Sequence, residues 1–324
     1  MKKTLLVILS IILSLTMLIS FTGCSEKQPD KPIEDLEKPV VVDTKEDDEE
    51  VDDETGATPK SDPIPLTEPE EAPEGTVLSI YGDGVEKQTN YTLEDLMDMK
   101  EGYRELKYST TNNWPSFKHM SGNGISLIYL LKEAGILDTA KSLVFISTDG
   151  YQAILPKEQV FSVQYSYSEH SVNGSSGENE IEPIIAWEWG DDKTYPENMR
   201  PIFGQVGPYE VNTASSVKDL YRIEVLTWDA GSWAVPTASI EQGNVSAGTE
   251  LELGHPQMDN IKIYYTLDGT EPSYNSEVYN KSTTYFQPDL IVPLIIENDV
   301  TIKAFVGGLG KADSAVVEFT YKVG

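Results

Sequence analysis

Between Glu26 and Gly75 the chain carries 19 Asp or Glu against 5 Lys, a net charge of −14, together with 8 of its 19 prolines. No core can be built from such a stretch, because it has too little apolar surface to offset the entropy of ordering it. Like charges repel and proline stiffens, so residues 24–75 are expected to form a disordered, extended acidic tether. A run such as Glu46 to Glu50 could gather divalent cations, but a solvated spacer accounts for it without any ligand. Any fold must come from residues 76–324, a length sufficient for two ordinary domains.

Ahead of the tether, Lys2 and Lys3 precede an uncharged apolar run from Thr4 to Thr22, closed by Phe21-Thr22-Gly23-Cys24-Ser25. A basic start, an apolar run and small residues at the cut mark residues 1–23 as an export signal. Cys24 is the only cysteine, so no intramolecular disulfide can form. Its place directly after a small residue resembles a bacterial lipobox, with Phe21 where Leu is usual. The resemblance implies that Cys24 is acylated and holds the mature chain on the extracytoplasmic face of the membrane. Two acyl chains are what stable anchoring requires. The competing reading is a plain signal anchor, since 19 uncharged residues are long enough to span a bilayer.

Residues 76–324 carry a net charge of −18, with no cluster of Lys and Arg. Nucleic acid is excluded as a partner, because its binding needs clustered cations that displace counterions. His119, His170 and His255 are far apart and lack cysteine partners, which argues against a zinc site. No GxSxG elbow is present. The Gly-rich residues 170–180 lack the lysine of a phosphate-binding loop and read as a surface loop.

From Thr249 to Lys322 short alternating segments recur, ELELG, KIYYTLDG, DVTIKAFV and AVVEFTYKV, each bounded by Gly, Pro, Asn or Asp. That pattern predicts an all-β sandwich over residues 236–324, with a boundary near GSWAVPTAS. Asp268-Gly269 supplies turn chemistry. The stretch IKIYYTLDGTEPSYNSEVY resembles the chitobiase C-terminal domain family, which implies an accessory module without catalytic residues. Tyr264, Tyr274 and Tyr279 could stack on sugar rings or pack along strands.

Residues 76–235 mix both periodicities. TVLSIYG, YRELKYST, SLVFIST, YQAIL, PIIAWEW, PIFGQV and YRIEVLTW read as strands. Thr92 to Asp95 starts a capped helix, and Ser126 to Glu133 forms another, stopped by Gly135. Strands outnumber helices without alternating with them, so the class expected is α+β. Trp187 and Trp189 lie two apart and are expected to share one face of a strand.

The order of these segments, through GISLIYLLKEAGI and STDGY to RPIFGQVGPYEVNTASSVKDLYRIEVL, resembles the molybdopterin-binding domain of the sulfite oxidase family. In catalytic members the loop before the GxxLxxLL helix carries a cysteine whose thiolate binds molybdenum. KYSTTNNWPS occupies that place here, and the match sets Thr110 where the cysteine is expected, with Trp114 beside it. A threonine hydroxyl is a poor ligand for a metal that favours thiolate. The resemblance further implies that Arg200 and Lys218 line a pocket for the pterin phosphate. Each could instead pair with a neighbouring acid, such as Glu197 or Asp219. No cofactor is expected, with molybdopterin left open. The function expected is non-catalytic binding of a cell-surface ligand or glycan. Two alternatives are a molybdopterin-dependent oxidoreductase without a protein thiolate, and a purely structural spacer.

Overall fold

Alternating apolar residues set the strands, and Gly or Asx turns end them. The computed structural model describes residues 64–111, 117–167, 179–190, 199–282 and 288–324, all within one compact unit that runs from Ser61 to Gly324. Cys24, Trp114, His170 and the Glu46 to Glu50 run lie outside the described residues.

The first half holds β1 (Leu78–Tyr81), β2 (Thr89–Tyr91), α1 (Leu93–Asp98), β3 (Tyr103–Thr111), β4 (Phe117–Ser126), α2 (Leu127–Glu133), β5 (Ser142–Ser147) and β6 (Gln152–Pro156). It continues with α3 (Lys157–Phe161), β7 (Gln164–Ser166), β8 (Asn179–Ile181), β9 (Ile184–Trp189), β10 (Arg200–Ile202) and β11 (Leu220–Leu226). One sheet runs β2-β1-β11-β5-β6, with β1 parallel to β11, and a second, antiparallel sheet runs β10-β9-β4-β3. The architecture is mostly β with few helices, a sandwich-like mix within which the expected α content is small.

Local chemistry explains the helices. Thr92 caps α1 in a reciprocal box, its hydroxyl accepting from Asp95 N while the Asp95 carboxylate accepts from Thr92 N. Gly135 ends α2 at φ 74°, with Gly135 N donating to Lys132 O and Ile136 N to Leu131 O. That is the Schellman arrangement, which needs a residue tolerant of the left-handed region.

Period-two alternation sorts the first sheet's faces. Leu78, Ile80, Leu143, Phe145, Ile223 and Val225 enter the main core with Leu130 and Leu131 of α2. Tyr81, Val144, Ile146 and Leu226 face the other way. Ile64 and Leu66 pack on that second face, and Thr67 donates twice to the Glu224 carboxylate, from N at 2.8 Å and from Oγ1 at 2.5 Å. The end of the segment assigned to the tether is therefore part of the folded body from Ile64 onward.

Two further expectations change. The stretch between β3 and α2 is mostly strand, because β4 pairs with β3 from Tyr103↔Ile125 to Thr111↔Phe117. Its apolar content is too sparse to betray it, FKHMSGNGIS being glycine-rich and polar. Nor do Trp187 and Trp189 share a face. The register of β9 on β4 slips between Asn123↔Glu188 and Gly124↔Ala186, leaving Trp187 as the extra residue of a β-bulge. Trp187 joins the main core and stacks on Tyr103, whereas Trp189 packs with Tyr108 in a separate cluster. The two indoles therefore form no common aromatic face.

The second half comprises β12 (Thr237–Ala238), β13 (Gly243–Val245), β14 (Thr249–Leu251), β15 (Leu253–Gly254), β16 (Lys262–Thr266), β17 (Glu277–Val278), β18 (Leu294–Ile296), β19 (Val300–Gly307) and β20 (Val317–Val323). Its main sheet runs β13-β20-β19-β16-β17, accompanied by the pairs β14-β18 and β12-β15. Tyr264 and Tyr279 are buried, and Tyr274 packs edge-on against Tyr264 and Phe305. These tyrosines serve packing, not an exposed platform. The two halves are stapled together: Gln159 Nε2 donates to Gly308 O and Lys311 O, and Gly310 N donates to Gln159 Oε1.

Candidate functional site

Every strand of the four-stranded sheet contributes to one cavity of about 220 Å³ among the described residues. Thr110 enters from β3, Met120 from β4, Trp189 from β9 and Arg200 with Ile202 from β10. The segment 212–218 closes it and brings Asn212, Thr213, Ser216 and Lys218. Three of the four cofactor-site residues expected from sequence, Thr110, Arg200 and Lys218, thus meet in one place. The fourth, Trp114, lies outside the described residues.

Asn212 is the reason the closing segment sits where it does. Its Nδ2 donates to Ser109 O at 3.0 Å and Phe203 O at 2.9 Å, while its Oδ1 accepts from Thr111 N at 3.0 Å. A single buried amide so ties the end of β3 to the exit from β10. Gln205 repeats the device one layer away, with Nε2 donating to Thr111 Oγ1 and Glu210 O and Oε1 accepting from Ser109 Oγ. Asp219 then turns the chain into β11 at φ 51°, a conformation Asp tolerates better than most residues.

Two cationic side chains reach the cavity. Arg200 is buried and carries a permanent charge. Lys218 is exposed at the rim and makes no ion pair among the described residues. The Ser216 hydroxyl is buried and makes no hydrogen bond among the described residues, which leaves a polar atom that a ligand can satisfy. No Asp, Glu, His or Cys is found among the described lining residues.

Two cations with neighbouring hydroxyls suit a phosphate, sulfate or carboxylate. The phosphate end of a pterin cofactor fits that set. The metal end does not, because Thr110 is buried with its hydroxyl turned to Lys118 O at 3.4 Å and offers no sulfur. Sequence reasoning missed Asn212, Thr213 and Ser216. The polar run VNTASSVKD between two apolar segments was the available signal.

Comparison with known proteins adds two findings. The family model described as "Fn3 associated" matches residues 252–321, within the second half. Among solved structures, the sulfane dehydrogenase SoxCD from Paracoccus pantotrophus is similar over 73% of this chain and 68% of its own, at 14% identity and a TM-score of 0.35. No curated protein is significantly similar to this chain.

Proposed function

We propose that the mature chain is a lipid-anchored surface protein whose sulfite-oxidase-like domain binds a small anionic ligand without converting it. The reading rests on the convergence of Arg200, Lys218 and the unsatisfied Ser216 hydroxyl on one cavity whose described walls hold no Asp, Glu, His or Cys. At about 220 Å³ the cavity lies below the ~300–1,000 Å³ of sites for drug-sized ligands, so a single anionic group is the natural occupant. The C-terminal part acts as an accessory, chitobiase-like module that holds this domain toward a surface ligand or glycan.

Titration calorimetry with inorganic phosphate tests the pocket on the exported chain. A charge-assisted contact contributes about 1.5–3 kcal/mol, so Lys218→Ala should weaken phosphate binding by roughly 10- to 150-fold. Unchanged affinity in K218A overturns the assignment. Protein exported from a host that makes molybdopterin should hold far less than one molybdenum per chain, read by mass spectrometry. Stoichiometric molybdenum with pterin would replace the binder with the oxidoreductase alternative.

The anchor has its own test. Replacing Cys24 with alanine should move the protein from the detergent-soluble membrane fraction to an unlipidated precursor. An N-terminal peptide that carries no lipid in the unsubstituted protein would end the lipoprotein reading.

A further inference from the structure

A second cavity, of about 300 Å³, opens where the two halves meet, well apart in composition from the cationic pocket. Its first-half wall is formed by α3 and the segment from Gly204 to Glu210, and its second-half wall by Tyr274 and the turn after β19. The Gln159 staple to Gly308, Gly310 and Lys311 holds the two walls in register. Val206 and Leu309 supply apolar surface, and no Lys or Arg occurs among the described lining residues.

Glu210 is the unusual member. It is 2% exposed, and its carboxyl has one hydrogen bond among the described residues, from Val206 N to Oε2 at 2.7 Å. Oε1 has no such partner, although the residue lines the cavity. A buried carboxyl without a cation is costly to keep as it stands. Asp313, which accepts from the Tyr274 hydroxyl at 2.5 Å, and Glu158 stand at the mouth.

We infer that this junction cavity binds a small organic ammonium ion, with the cationic head on the Glu210 carboxyl and the alkyl body against Val206, Leu309 and the Tyr274 ring. Each wall then has a role: the carboxylates Glu158 and Asp313 draw the cation in, the aromatic ring faces it, and Glu210 completes the pair. The groups that face Glu210 are Asp313, Tyr167, Tyr264 and Tyr274, none of them cationic. Burial pushes the Glu210 carboxyl up to about 8, so it is mostly protonated at pH 7. An arriving ammonium favours the ionised form, and the carboxyl proton leaves to solvent as the ion pair forms.

The test is calorimetric titration of the full chain at pH 7 with n-butylammonium chloride, against n-butanol as the uncharged probe, in two buffers of different ionisation heat. Butylammonium should bind at least tenfold tighter than butanol and release close to one proton per ligand. Glu210→Gln should lose about tenfold or more of that affinity and all of the proton release, and Asp313→Asn should weaken binding without abolishing release. Lys218→Ala should change none of this, which separates the site from the phosphate pocket. Equal affinity for the two probes, or an E210Q or D313N protein that binds butylammonium like the parent, overturns the inference.

Discussion

Gly124→Ala is expected to cost the folded state about 3 kcal/mol, at the upper end of what overpacking a well-filled site costs. Gly124 sits in β4 opposite Ala186, directly beside the bulge that displaces Trp187. A Cβ there would lie 2.0 Å from Ile185 O and 2.7 Å from Ala186 Cα, and both obstacles are backbone. No side-chain rotation relieves such a clash, so β4 must part from β9 at the centre of the four-stranded sheet. For a chain of this size the loss corresponds to a fall in Tm of about 6–12 °C. The tryptophan emission should shift as well, because Trp187 loses its seat in the core against Tyr103. Gly254→Ala is the control: its Cβ would meet only the Thr237 hydroxyl, at 3.2 Å, and the change should stay within about 1 kcal/mol. A G124A protein as stable as the parent would mean that the bulge and its register are wrong.

The bulge also shows where sequence reading reached its limit. Alternation identifies the strands of the first sheet because each has one face in the main core, as Leu143 and Phe145 do against Val144 and Ile146. Thr92 and Gly135 carry their own cap chemistry, so α1 and α2 were legible from single residues, whereas α3 has no side-chain cap and was not. β4 was not, since its stability comes from partners on both edges and not from its own apolar content. A one-residue bulge inverts every side chain beyond it, and nothing in IIAWEW announces the slip. At the pocket, Arg200, Lys218 and Thr110 were legible only through the order of motifs around them. The Asn212 and Gln205 amides that position them bond to residues about 100 positions away, which no local pattern can reveal. Glu210 was hidden for a similar reason. Its neighbours in sequence are ordinary, and only the approach of the second half turns it into a buried acid.

That buried acid should give the protein a stability minimum near pH 8. Burial raises the Glu210 carboxyl from an ordinary 4.5 to about 8, so between those values the unfolded chain has released a proton that the folded chain still holds. The Glu210 contribution is therefore complete below pH 4.5 and is lost progressively as pH rises through about 8. At 1.36 kcal/mol per pH unit the loss amounts to roughly 4–5 kcal/mol. Lys262 works in the opposite direction. It is 2% exposed with its Nζ donating to Asn280 O at 2.8 Å, and burial lowers its ammonium from 10.5 to about 8. Above pH 8 the unfolded chain binds the proton that the folded chain has shed, so stability recovers, by roughly 2 kcal/mol up to pH 9.5. The window closes there because the buried hydroxyls of Tyr264, Tyr274 and Tyr108, all raised by burial, begin to remove stability above their ordinary value of 10.0. Urea unfolding at pH 5, 6.5, 8 and 9.5 reads the profile. Glu210→Gln should remove most of the descent from pH 5 to 8, and Lys262→Met should flatten the rise beyond it. If E210Q descends in parallel with the parent, then Glu210 is ionised in the folded chain at neutral pH. In that case the junction cavity already offers its carboxylate a partner that raises no such cost.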